Sequence, residues 1–355
     1  AYVGKGKEIV AKNYVEAMTP ALLGQEVFDI KHMSTALFDD FQIRRSSFDF
    51  FAAWSSIEIA LWDIIGKICK QPVYNLIGGK YRKNVRLYAN GWWIGAKDTD
   101  ETVERALKIQ KMGYTALKWD PFYTPWRCYI TQKEEDHAVA NVKAMREALG
   151  DTMDLMIEVH RRLSPYQAIH FARRVEEFNP FVFEEPCLSD NLDLVKTAKQ
   201  SMPFLRVVTG ETMYTKEEIK NVLETHAADV INPDTCVCNG IHGMMEIANM
   251  AEPYGVCFSP HNFNSSIVGL AATLHVSAVA PNFNIAELFV NVKEGCDPID
   301  RKPIIIDNGF AELPADPGLG IDIDMDELLR HPPREFTAAP LVSVEREYPS
   351  KSDFV

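Results

Sequence analysis

Six short apolar runs each end in an ionisable side chain. Leu155-Met156-Ile157 ends in Glu158, Phe181-Val182-Phe183 in Glu184, and Arg206-Val207-Val208-Thr209-Gly210 in Glu211. Asp229-Val230-Ile231-Asn232-Pro233 runs into Asp234, Val256-Cys257-Phe258-Ser259-Pro260 into His261, and Phe283-Asn284-Ile285-Ala286 into Glu287. The steps between these end residues are 26, 27, 23, 27 and 26. One acid after an apolar run is ordinarily a helix N-cap or a solvated loop residue. Six ionisable ends in succession, with no Lys or Arg among them, point instead to one site. Glu158, Glu184 and Glu211 would repel one another in a shared cavity unless a cation joined them. Oxygen-only ligands suit a hard divalent ion, Mg²⁺ before Zn²⁺.

His261 follows Asp234 on the neighbouring run. A carboxylate bonded to one ring nitrogen orients an imidazole and raises its basicity, which describes a general base. Lys118, near the end of Ala116-Leu117-Lys118-Trp119-Asp120, offers a second base or a cation for a substrate oxygen. His160 stands two residues beyond Glu158, so strand alternation places it on the same side, within reach of a substrate hydroxyl. Glu185 is expected to face away from Glu184 in a supporting role. Trp92, Trp119, Phe122 and Trp126, with Asp120 and Arg162, are candidates to line the substrate pocket.

The spacing leaves room for one helix and two loops between runs, which suits βα units and a parallel sheet buried on both faces. If such a sheet closes into a barrel, all the ends meet on one face, where the active sites of barrels lie. The first barrel strand is expected at Val85–Asn90. Residues 1–84 read as helical, and the segment after about residue 290 is turn-rich, its strands expected to fold back on the N-terminal helices.

The chain has 355 residues, 46% of them hydrophobic and 25% charged, enough for one barrel and a smaller second domain. A net charge of −13 excludes general nucleic-acid binding. Cys69, Cys128, Cys187, Cys236, Cys238, Cys257 and Cys296 are odd in number and irregular in spacing. They read as reduced thiols of a cytoplasmic protein, not as a zinc site. No apolar stretch is long enough to span a membrane, and Ala1–Gly6 lacks the apolar core of a signal peptide.

The ordered set Lys118, Glu158, Glu184-Glu185-Pro186, Gly210-Glu211, Asp234, His261 and Glu287 resembles the mandelate racemase subgroup of the enolase superfamily. The resemblance runs nearly the whole chain. It includes Ala60-Leu61-Trp62-Asp63, Leu76-Ile77-Gly78-Gly79, Ser259-Pro260-His261-Asn262 and Pro317-Gly318-Leu319-Gly320. Glu158-Val159-His160 and Leu87-Tyr88-Ala89-Asn90-Gly91-Trp92 are most similar to the dehydratases of galactonate or gluconate. The resemblance implies an α/β fold: a (β/α)7β TIM-like barrel over residues 85–290. It also implies an α+β capping domain formed by residues 1–84 with 291–355, with the cap's N-terminal strands missing from this chain.

It further implies one Mg²⁺ per chain, held by Glu158, Glu184 and Glu211, and a small sugar-acid substrate. No nucleic-acid or membrane partner is expected, and the chain is expected to be a homo-oligomer, dimer or octamer. The reaction implied is dehydration of an aldonate to a 2-keto-3-deoxy acid. His261, held by Asp234, would take the C2 proton, His160 would protonate the C3 hydroxyl, and Glu287 would hydrogen-bond the enediolate oxygen. The alternatives are a cycloisomerase of a sugar acid or lactone, a racemase or epimerase, and a non-catalytic metal-binding protein. Two residues depart from the subgroup's pattern: Glu158 stands where Asp is usual, and Lys118-Trp119-Asp120 replaces Lys-x-Lys, which disfavours a two-base racemase.

Overall fold

The computed structural model describes residues 8–122 and 130–332. Four helices come first: α1 (Glu8–Leu22), α2 (Ile30–Ala36), α3 (Phe48–Cys69) and α4 (Val73–Leu76). Ser47 caps α3 through its hydroxyl, which accepts from Phe50 N, and Lys70 ends it in the left-handed region. Met18, Met33, Phe50, Phe51 and Trp54 give this layer a core of its own.

Eight parallel strands follow, separated by seven helices. They are β1 (Asn84–Asn90), α5 (Thr99–Lys111), β2 (Ala116–Trp119), α6 (Gln132–Leu149), β3 (Asp154–Glu158), α7 (Pro165–Val175), β4 (Val182–Glu184), α8 (Leu192–Ser201), β5 (Val207–Thr209), α9 (Lys216–Thr225), β6 (Val230–Ile231), α10 (Gly240–Ala251), β7 (Cys257–Phe258), α11 (Ile267–Val279) and β8 (Ala286–Phe289). Each strand from β1 to β6 pairs with the next, and β8 pairs with β1. Phe258 N donates to Asn282 O and Glu287 N to Pro260 O, so the β7 and β8 segments close the cylinder. The fold is a (β/α)7β barrel. Capping boxes start α6 (Thr131, Glu134) and α9 (Thr215, Glu218), and Ser164 with Pro165 starts α7.

Beyond β8 lie α12 (Val290–Cys296), the hairpin β9 (Ile306–Asp307) and β10 (Phe310–Glu312), and α13 (Met325–Leu329). Asn308 and Gly309, both at positive φ, make the hairpin turn. β10 pairs antiparallel with Asn84–Arg86 of β1, not with the N-terminal helices. Those helices are met instead by residues 317–319: Leu319 N donates to Asp63 Oδ1, and Pro72 bridges Gly318.

His275 ties these parts together from the buried helix α11. Its Nδ1 accepts from Tyr74 N (3.2 Å) and its Nε2 meets Leu319 O (3.1 Å). Burial lowers its pKa from 6.5 to about 4, so the folded ring stays neutral where the unfolded one takes up a proton. Stability from this group is complete above about pH 6.5 and is lost as pH falls toward 4, by an amount on the order of 3 kcal/mol. Urea unfolding at pH 7.5 and 4.5 should show a smaller acid loss in His275→Gln than in wild type. Equal losses in both proteins would assign the effect elsewhere.

Candidate active site

The barrel interior is built in layers, because inward side chains recur every second residue. Tyr88, Ala116, Met156, Val182, Val208, Val230 and Ile285 form a buried apolar ring. Two residues further along each strand come Asn90, Lys118, Glu158, Glu184, Gly210, Asn232 and Glu287. A polar layer therefore lies directly on an apolar one. At Gly210 the backbone has φ +138°, and a Cβ would stand 3.3 Å from Asn232 N. The chain instead turns there and places the acid one residue later, at Glu211.

Glu158, Glu184 and Glu211 each offer an oxygen within 4.8 Å of the others. Burial pushes Glu184 well above the usual carboxylate range; Lys118 opposes this, and the neighbouring Glu158 and Glu211 add to it. Lys118 is 1% exposed. Its Nζ bonds Glu184 and lies 3.2 Å from Glu158 Oε2, 3.1 Å from Glu287 Oε1 and 5.3 Å from the centre of the Tyr88 ring. Burial alone would lower its pKa, but Glu184 and Glu287 outweigh it and keep the ammonium charged. Lys118 is thus enclosed by three carboxylates.

His261 Nδ1 lies 2.8 Å from Asp234 Oδ2. Its Nε2 is 3.3 Å from Glu211 Oε2 and 3.5 Å from Glu287 Oε2. Burial acts to lower this imidazole's pKa; Glu287, Glu211 and the Asp234 hydrogen bond overcome it and raise it to about 10. Glu287 departs from expectation. It sits within β8 opposite Tyr88, not at a strand end. It accepts from Asn90 Nδ2 (2.7 Å) and Asn262 N (2.9 Å). Against the cost of burial, Lys118 and His261 hold it down at about 2. Asn90, Asn262 and Lys118 thus fix the Glu287 carboxylate in the polar layer beside His261.

His160 also differs from the strand-alternation reading. β3 ends at Glu158, and His160 and Arg161 have φ +55° and +63°. The turn nevertheless keeps the ring near the cluster: Nδ1 lies 3.9 Å from Glu158 Oε1 and 3.5 Å from Asp120 Oδ2. Burial works against the charged ring, and Glu158 and Asp120 outweigh it, raising its pKa.

The expected pocket lining is largely packed away. Trp119 faces α6, where its indole donates to Asn141 Oδ1 (2.8 Å); with Lys118 inward, residue 119 must point outward. Trp92 is buried and donates to Ala89 O. Phe122 packs on Phe171, and Arg162 bonds Asp120 and Phe122 O (2.8 Å). Asp120 is thus shared between Arg162 and His160. Trp126 lies outside the described residues. Glu185 accepts from Thr209 Oγ1 (2.8 Å) and Gly210 N (3.1 Å), supporting the Glu211 turn. Sequence reasoning missed Asn90 and Asn232, whose parity with Tyr88 and Val230 signals them. It also missed Arg161, which bonds Glu211 and which no periodicity announces.

An oxygen-only, buried donor set fits a hard dication. Such an ion would also offset the negative field of Glu211 and Glu287 that raises the His261 pKa.

Residues 101–327 match the family described as enolase C-terminal domain-like, and residues 2–78 match the mandelate racemase / muconate lactonizing enzyme N-terminal domain. A D-gluconate dehydratase of Thermoproteus tenax is 33% identical over 309 residues, covering 86% of this chain and 61% of that relative. A D-gluconate/D-galactonate dehydratase of Picrophilus torridus is 35% identical over 320 residues, covering 88% and 80%. A mandelate racemase/muconate lactonizing enzyme-like structure from Rubrobacter xylanophilus superposes with TM-score 0.84 at 30% identity, covering 91% of this chain and 88% of the other. A member of the enolase superfamily from Salmonella Typhimurium gives 0.87 at 26% identity, covering 94% and 90%. Enzymes of this superfamily depend on a metal, and a carboxylate cluster suited to one is present here.

Proposed function

The chain belongs to the mandelate racemase / muconate lactonizing enzyme family, and from that membership we propose that it is a metal-dependent sugar-acid dehydratase, a hydro-lyase. The observation that carries the reading is the pair of imidazoles flanking the carboxylate trio. His261 comes from the β7 end with Asp234 at its back, and His160 from the β3 end with Asp120 beside it. The curated relatives' activities point the same way.

Glu158, Glu184 and Glu211 would hold one Mg²⁺, which when bound supplies a positive charge for the substrate carboxylate and for the charge that builds on it during proton removal. Asp234 accepts Nδ1–H of neutral His261, which fixes the tautomer and leaves the Nε2 lone pair to take the C2 proton. His160, whose charged form Glu158 and Asp120 favour, gives a proton to the departing C3 hydroxyl, so water leaves. The resulting enol then tautomerises to the 2-keto-3-deoxy acid, the proton of its C2 hydroxyl being given up as C3 takes one on. Lys118 and Glu287 keep the layer's charges balanced and fixed. The six described cysteines are free thiols, which supports a reducing, cytoplasmic setting. Among the described residues no helix is long and apolar enough to cross a membrane.

A panel of acid sugars assayed for 2-keto products with added Mg²⁺ tests the reaction. Turnover of an aldonate is expected; inactivity across the panel, with binding of Mg²⁺ intact, would count against it. Glu184→Gln tests the cation site. It should weaken Mg²⁺ or Mn²⁺ binding by at least about 100-fold, the upper end of losses seen for supporting residues, while circular dichroism stays native. Unchanged metal affinity would refute the ligand assignment.

A further inference from the structure

Arg161 is an unusual residue to find where it is. It has φ +63° and follows His160 at φ +55°, a left-handed pair that neither an arginine nor a histidine favours. The pair is pinned from β4: Val159 N donates to Glu184 O (3.0 Å) and Arg161 N to Glu185 O (2.7 Å). Glu185 is itself left-handed at φ +46°. Disfavoured backbone held in place by its surroundings clusters at functional sites. Here the consequence is visible in where the side chains go. His160 turns toward Asp120 beyond β2, while Arg161 reaches across β4 to Glu211 beyond β5.

Glu211 is the one member of the trio that stands past a strand end, after Gly210, and so lacks the ladder that fixes Glu158 and Glu184. Its two oxygens are held from opposite sides. Arg161 Nη1 bonds Oε1, and His261 Nε2 lies 3.3 Å from Oε2. A planar guanidinium gives a carboxylate a direction as well as a charge. Removing it leaves the carboxylate free to turn toward the imidazole.

We propose that Arg161 is a positioning residue of the divalent-cation site, holding the Glu211 carboxylate in the orientation in which it faces Glu158 and Glu184. The proposal rests on the reading of that trio as a cation site.

The test titrates Mn²⁺ into the full chain, with free Mn²⁺ read by electron paramagnetic resonance, for wild type, Arg161→Gly, Arg161→Lys and the Glu184→Gln control. Glycine adopts the left-handed backbone readily, so Arg161→Gly removes the guanidinium without a backbone conflict. It should weaken Mn²⁺ binding by about 10–100-fold, the usual effect of losing a ligand's supporting partner. Arg161→Lys, which keeps the charge, should recover part of the loss, and near-ultraviolet circular dichroism should match wild type in both. Unchanged or tighter binding in Arg161→Gly overturns the proposal and leaves the cation site standing. Equal loss in both variants together with altered circular dichroism also overturns it, because the role would then be structural. No Mn²⁺ binding by wild type would remove the cation-site reading, and this proposal with it.

Discussion

His261→Asn should stop exchange of the substrate's α-hydrogen with solvent deuterium and reduce turnover by about 10²–10⁴-fold, the range ascribed to a positioned acid or base. The asparagine amide can still meet Asp234, so the packing around Asp234 survives. What it lacks is a nitrogen lone pair able to hold a proton. The effect should therefore fall on turnover while binding of Mn²⁺ stays close to wild type. Exchange persisting at the wild-type rate would require another base, and Lys118 is the candidate that sequence alone offers. Its position makes that outcome a demanding one. A base must shed its proton to begin, and Lys118 is enclosed by Glu158, Glu184 and Glu287 over the Tyr88 ring. Each of those neighbours favours the ammonium.

The barrel was legible in the sequence because its construction repeats. Short apolar runs separated by helix-length segments admit few other folds, and the acids at their ends mark one face. The same period of two carries further than the strand ends. Stepping two residues from Tyr88, Met156, Val182, Val230 and Ile285 reaches Asn90, Glu158, Glu184, Asn232 and Glu287, so the two asparagines could have been read with the acids. Parity also rules out Trp119 as a pocket residue once Lys118 points inward, since neighbours on a strand face opposite sides. Glu287 was legible as a member of the layer but not in its surroundings, because Lys118, Asn90 and Asn262, which hold it, come from separate parts of the chain.

The left-handed turn after β3 was not legible. Positive φ at His160 and Arg161 is imposed by backbone bonds to Glu184 and Glu185, and nothing in the local sequence asks for it. A tertiary contact there overrides the local preference of two side chains that would rather extend. The C-terminal hairpin shows the reverse. Asn308-Gly309 announces its turn, but the choice of β1 as its partner is made by the barrel, whose first strand leaves Asn84–Arg86 open to pairing.

His160→Asn decides the reaction class. A racemase needs bases on the two faces of C2, whereas a dehydratase also needs an acid near C3, because hydroxide is a poor leaving group until it is protonated. His160 has the features of that acid. Its ring is partly exposed, it lies 3.9 Å from Glu158 and 3.5 Å from Asp120, and both carboxylates favour its charged form. The competing role is to orient Glu158, and one contact belongs to it: His160 N donates to Glu158 Oε1 at 2.7 Å. That bond comes from the backbone, so the substitution leaves it in place and separates the two roles. If the ring is the acid, His160→Asn should bind Mn²⁺ normally, still exchange the α-hydrogen with solvent, and lose the 2-keto product by about 10²-fold or more. If the ring orients the ligand, metal affinity, exchange and elimination should fall together. Nuclear magnetic resonance in deuterium oxide follows exchange and product in one sample, and a parallel fall would take away the main reason for reading this site as a dehydratase. A single product formed without loss of the C3 hydroxyl would point instead to epimerisation at C2, which needs no acid at His160.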